Sequence, residues 1–134
     1  MATNTAGNSA RYYNKQMVHY LRAGLAFGDN GTAVTVGIIP AGSVILKAAS
    51  GVQVTTAFNA GTGNVLDVGT SDNDDLFGTD LALGTATFVP LDEAIGGYHV
   101  TSDTTITATV ALTGTAASAG AAEVLICYIP DNDR

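Results

Sequence analysis

Between Thr104 and Leu112 the chain alternates with a period of two. Ile106, Ala108, Val110 and Leu112 fall on one side, and Thr105, Thr107 and Thr109 on the other. Successive side chains of an extended strand point to opposite faces, so this pattern predicts a half-buried strand with its threonines toward solvent. The stretch Ala121 to Ile129 reads differently, because Val124-Leu125-Ile126-Cys127-Tyr128-Ile129 is apolar at both parities. A strand of this kind lies at the centre of a sheet, or has its outer face covered by a second subunit. The two are joined by the low-complexity loop 113–120.

The rest of the chain carries weaker versions of the same signal. Met17 to Phe27 is apolar at 17, 18, 20, 21, 23, 25, 26 and 27. It reads as a strand rather than a short helix over 14–23, because Asp29-Asn30-Gly31 follows and looks like a hairpin turn. Thr32 to Ile39 alternates and is closed by Pro40-Ala41-Gly42. Ser43 to Phe58 is rich in β-branched residues, with a bend expected at Ser50-Gly51. Asn64 to Gly69, Thr85 to Val89 (ended by Pro90) and Tyr98 to Thr101 read as short strands, and 70–81 as an acidic loop. About eight short strands with turns every 8 to 12 residues predict an all-β fold, a single β-sandwich or jelly-roll-like domain. Residues 1 to about 16 read as an extended N-terminal arm. We therefore divide the chain into 1–28, arm and first strand, and 29–134, the sandwich.

Composition sharpens this picture. Hydrophobic residues make up 46% of the 134, so the chain can bury a core, yet only 13% are charged. That is about half the usual share. A surface so poor in charge is built from Thr, Ser, Asn and Gly, which suits either partner subunits or a small secreted sandwich. The net charge of −7 is uneven. Residues 1–28 hold Arg11, Lys15 and Arg22 and no acid, whereas the remainder holds all twelve acids against Lys47 and Arg134. An acidic body argues against nucleic acid as a partner, since that binding depends on clustered Lys and Arg. No apolar run is long enough to span a bilayer as a helix, and the N-terminus does not resemble a signal peptide. The expected location is a cytosol, or a particle assembled there.

Candidate chemistry is sparse. His19 and His99 have no Cys or carboxylate partners at metal-ligand spacing. Neither a G-x-S-x-G elbow nor a phosphate-binding glycine loop occurs. Cys127, the single cysteine, is expected to be a small buried hydrophobe. Asp67, Asp72, Asp74, Asp75 and Asp80 cluster, and Asp72-Asn73-Asp74 begins like an EF-hand loop. Leu76, Phe77 and Leu83 then stand where that loop wants Asp or Asn, Gly and Glu. A solvated turn is the plainer reading of this stretch, as it is of Asp92-Glu93. No cofactor is expected, and no enzymatic activity. Arg11, Tyr12, Tyr13 and Lys15 join charge to aromatic area in a segment with no core of its own, which marks them as candidate interface residues. Leu125, on the doubly apolar last strand, is the fifth.

Ile39-Pro40-Ala41-Gly42-Ser43-Val44-Ile45 is followed by Val54-Thr55-Thr56-Ala57-Phe58-Asn59-Ala60-Gly61-Thr62. Then come Leu66-Asp67-Val68-Gly69-Thr70 with its acidic loop, Ile106-Thr107-Ala108-Thr109-Val110, and Gly120 to Tyr128. In this order the stretch from Ile38 to Pro130 resembles the small virion proteins of tailed bacteriophages. The resemblance implies a β-sandwich that decorates or cements a capsid, or caps a fibre. Its motifs are turns and strands, and residues 1–28 lie outside it. The partners it implies are the major capsid protein and further copies of the chain itself, most simply a homotrimer on the capsid surface. The alternatives are another phage component, such as a head-fibre base or tail protein, and a carbohydrate-binding or adhesin module.

Overall fold

The computed structural model describes residues 17–93 and 98–131. Among these residues nine strands are formed: β1 (His19–Ala26), β2 (Ala33–Ile39), β3 (Val44–Ile45), β4 (Gly51–Thr56), β5 (Gly63–Gly69), β6 (Gly78–Ala82), β7 (Phe88–Pro90), β8 (Thr104–Thr113) and β9 (Ala121–Ile129). They make two antiparallel sheets packed face to face, a β-sandwich. The first sheet has the order β1-β9-β4-β7, with β3 also paired to β9, and the second has the order β2-β8-β5-β6. The two strands most legible in the sequence, β8 and β9, are thus internal strands, one in each sheet.

The inner faces follow the period of two. Ala122, Val124, Ile126 and Tyr128 of β9 are buried beside Leu25 of β1 and Val52 and Val54 of β4. Ile106, Ala108 and Val110 of β8 meet them from the other sheet, with Leu66 and Val68 of β5. Each large aliphatic side chain fully buried in this layer contributes roughly 1.5–3 kcal/mol.

Three sequence expectations change. Asp29-Asn30-Gly31 is not the tip of a hairpin, since β1 pairs with β9 and β2 with β8. A 3-10 turn at Phe27–Asp29 carries the chain from one sheet to the other. Asn30 fixes the crossing: its Oδ1 accepts the Leu112 N–H at 2.8 Å, and the Gly31 N–H donates to Val110 O at 2.8 Å. The acidic loop is shorter than 70–81, because β6 forms from its second half. Leu81 pairs with Leu66 and is buried, which ties Gly78–Ala82 to the sheet despite Asp80. Pro90 does not end the strand before it. It lies within β7 opposite Gly51, at a sheet edge where its missing N–H costs nothing.

The threonine face of β8 is not uniformly wet either. Thr107 is buried. Its neighbour across the ladder is Gly69, and a Cβ there would overlap the carbonyl oxygen of Asn73. The acidic loop therefore folds down over the outer side of the second sheet. Glycine at 69 is what allows that approach.

Candidate interaction surface

The outer face of the first sheet is built by the residues whose neighbours in sequence form the core. On β1 these are Tyr20, Arg22 and Gly24, aligned with Cys127, Leu125 and Glu123 of β9. Gly51 and Gln53 of β4 continue the last two rows, followed by Pro90 and Phe88 of β7. At one end Val44 pairs with Ile129. Val18, Tyr20, Val44, Phe88 and Ile129 are all exposed, Tyr20 at 61% and Val18 at 55%. Large apolar patches are uncommon on monomeric soluble proteins and mark surfaces that meet something.

A groove of about 430 Å³ runs across this face. Leu125 and Cys127 form its floor, with Val18, Tyr20 and Arg22 along one side and Gln53 and Phe88 along the other. Beside it, Gly51 lets β7 approach β4 closely. A Cβ there would overlap Val89 O and stand 3.0 Å from the ring of Phe88. The charge on the face is internally balanced. Arg22 Nη2 donates to both carboxylate oxygens of Glu123, at 2.6 and 2.7 Å. This hydrogen bond, with the field of the same carboxylate, raises the Arg22 pKa above its ordinary value. The face thus presents apolar area and a pair that needs no outside counter-charge.

Leu125 stands at the centre of this surface, half-buried, on the outer side of β9. Arg11, Tyr12, Tyr13 and Lys15 lie outside the described residues. Cys127 is corrected: it shares the outer parity with Leu125 and is a half-buried free thiol lining the groove, not a core residue. A doubly apolar strand gives no sign of which parity faces inward. That is settled by its partners, since Leu21, Ala23 and Leu25 of β1 line up with Ile126, Val124 and Ala122. The sequence reading passed over Tyr20, Arg22, Glu123 and Phe88. For Tyr20 the signal was present in the apolar residues at both parities over 17–21, the same mark that singled out β9; Arg22, Glu123 and Phe88 join it only through strand pairing.

The acidic stretch is tied together by hydrogen bonds to its own backbone. Asp67 Oδ1 accepts the Asp80 N–H at 2.8 Å, and Thr70 and Asn73 close the turn between them. Burial, together with the nearby Asp80, Asp74 and Asp75, pushes the Asp67 pKa up, opposed by that N–H. Among the described residues no three His, Cys, Asp or Glu side chains are placed to hold a metal ion.

No family model and no curated protein matches this sequence. The fold, however, has a counterpart. A chain of the cyanophage Pam1 capsid asymmetric unit superposes with a TM-score of 0.68, over 94% of this chain and 92% of that one. Sequence identity is 18%, so the likeness is one of fold. It extends over nearly the whole of both chains.

Proposed function

We propose that this chain is a capsid decoration (cement) protein of a tailed bacteriophage. It sits as a homotrimer on the outer surface of the head and ties neighbouring subunits of the major capsid protein together. The observation that carries this reading is the correspondence of fold, nearly end to end, with a chain from a phage capsid. The apolar, charge-balanced outer face of the first sheet supports it, because a protein that works by assembly needs such a surface and no reactive group. The action is mechanical. Each oligomer buries surface across several shell subunits, and the summed contacts oppose rupture of the shell by the pressure of packaged DNA. The protein reaches its place during head assembly in the host cytoplasm.

The test is binding to phage heads stripped of their minor proteins. Saturable binding at a fixed copy number, with a rise in the temperature at which heads rupture, is the expected result. Failure to bind heads, with binding to tails or retention on a glycan array instead, would favour the fibre, tail or adhesin alternatives.

A further inference from the structure

We propose that Asn30-Gly31 is a deamidation site held shut by the fold: it converts to aspartate or isoaspartate when the crossing between the sheets opens, and in its isoaspartate form cannot remake that crossing. The chemistry is independent of the assembly role. Asn30 is the one asparagine of the sequence that glycine follows. A following side chain shields the backbone nitrogen and restricts the rotation that carries it to the asparagine amide, and glycine does neither. The reaction needs only water. The Gly31 nitrogen gives up its proton to hydroxide and bonds to Asn30 Cγ, the Cγ–Nδ2 bond breaks, and Nδ2, protonated by water, leaves as ammonia. Water then adds to either carbonyl of the five-membered succinimide, and opening of the ring leaves aspartate or isoaspartate.

Both residues are exposed, so water reaches them, and geometry is what holds the site shut. Asp29 to Thr32 form a type II turn: Asn30 has φ −51° and ψ 125°, Gly31 has φ 76°, and the Thr32 N–H donates to Asp29 O at 3.0 Å. Ring closure requires Asn30 Cβ to swing into the plane of the peptide bond to Gly31, on the nitrogen's side. At ψ 125° it stands well out of that plane. The attacking nitrogen is engaged as well, its N–H donated to Val110 O at 2.8 Å. The target amide is held at both ends, since Oδ1 accepts the Leu112 N–H at 2.8 Å and Nδ2 donates to Leu112 O at 3.5 Å. Val110 and Leu112 lie on β8 just past Thr109, where the β2 ladder ends at Ala33, so this corner of the second sheet must open before the reaction can start. Isoaspartate puts an extra methylene into the main chain and a carboxylate in place of the amide. The carboxylate has no N–H for Leu112 O, and the longer backbone carries the Gly31 N–H out of register with Val110 O. A chain modified while open is thus withdrawn from folding irreversibly.

The test uses the full-length protein, incubated at mildly alkaline pH both native and unfolded in guanidinium. Conversion at Asn30 is followed by peptide mass and by labelling with an isoaspartyl methyltransferase. The expected result is conversion at least tenfold slower in the native protein than in the unfolded chain, with isoaspartate the main product. When guanidinium is removed, chains carrying isoaspartate at this position should stay unfolded under conditions in which unmodified chains refold. Equal rates in the two states would overturn the proposal, because the fold would then not gate the reaction. It is overturned equally by an unfolded chain that does not convert at Asn30, or by isoaspartate-bearing chains that refold with the parent's denaturation midpoint.

Discussion

The hydroxyl of Ser50 accepts the backbone N–H of Cys127 at 2.9 Å, at the one place where the edge of β9 facing β4 would otherwise be bare. β3 ends opposite Tyr128 and β4 begins opposite Leu125, and between them the chain lifts away in a 3-10 turn at Lys47–Ala49. Leu46 donates its N–H to Cys127 O at 2.8 Å, and Ser50 Oγ in turn donates to Leu46 O at 2.7 Å. The serine stands in for the missing strand residue, so β3 and β4 behave as one interrupted strand along β9. Ser50 has no exposure to solvent.

Ser50→Ala should therefore destabilise the fold. Leu46 O keeps the Ala49 N–H, but the Cys127 N–H loses its acceptor in a place water does not reach. The cost of a buried donor left unpaired is about 1–3 kcal/mol. Chemical denaturation reads this directly, and a midpoint equal to that of the parent protein would contradict it.

Leu125→Asp separates assembly from folding. The residue is on the outer face, so the variant should remain folded while the oligomer dissociates, with a loss of at least about 2 kcal/mol in association. Val124→Asp, one residue away and fully buried, should unfold the chain. Circular dichroism and native mass, measured together, check both. A Leu125→Asp variant that stays assembled would remove this face from the interface.

Cys127→Ser should change stability by about 0.5 kcal/mol or less, since the side chain lines an open groove. A loss of several kcal/mol on denaturation would return Cys127 to the core.

Leu125 and Cys127 show how far the sequence could be read. The period of two in Thr104–Leu112 was enough to find β8 and its inner face, because one parity is apolar and the other is threonine. β9 was found with equal ease, but the roles of Leu125 and Cys127 were not separable from those of Val124 and Ile126. Both parities are apolar, and the choice between faces is made by strands about a hundred residues away. The crossing at Asp29-Asn30-Gly31 failed for a related reason. A turn signal reports that the chain bends, while the partner that decides where it goes, here Leu112, is distant. β6 was hidden because Asp80 interrupts its apolar pattern, and its pairing with β5 outweighs that local preference.

Gly69→Ala tests the loop that covers Thr107. The new methyl would press on the backbone of Asn73 and Asp74, which cannot move without opening the turn. A cost of about 1–3 kcal/mol is expected from such overpacking. Amide exchange should show faster opening across 70–77, and unchanged exchange there would refute the close packing.

Asp67→Asn should raise stability at neutral pH. The folded-state pKa of Asp67 is higher than its unfolded value, chiefly through burial. The folded protein then binds the proton more readily, and the ionised carboxylate is a burden above the raised pKa that fades as pH falls through it to the ordinary aspartate range. The amide oxygen of the substituted side chain can still accept the Asp80 N–H. Melting temperatures of the two proteins should differ at neutral pH and converge once the pH has fallen below the ordinary aspartate range. A variant less stable at neutral pH would reverse the sign and exclude this account.

The placing of β9 also sets the order in which the molecule can come into being. Among the described residues, β1 has no other ladder partner, and β3 and β4 reach β1 only across β9. His19 must wait for Tyr128. As the chain emerges from the ribosome, the first sheet therefore has no centre until β9 has been made; before then β1 and β3 have no ladder partner among the described strands, and β4 has β7 alone. Pairings this distant in sequence close slowly and leave open edges while they wait. Among the described residues only β5 and β6 are consecutive strands that pair directly, so the second sheet holds the most local pairing from which folding can begin.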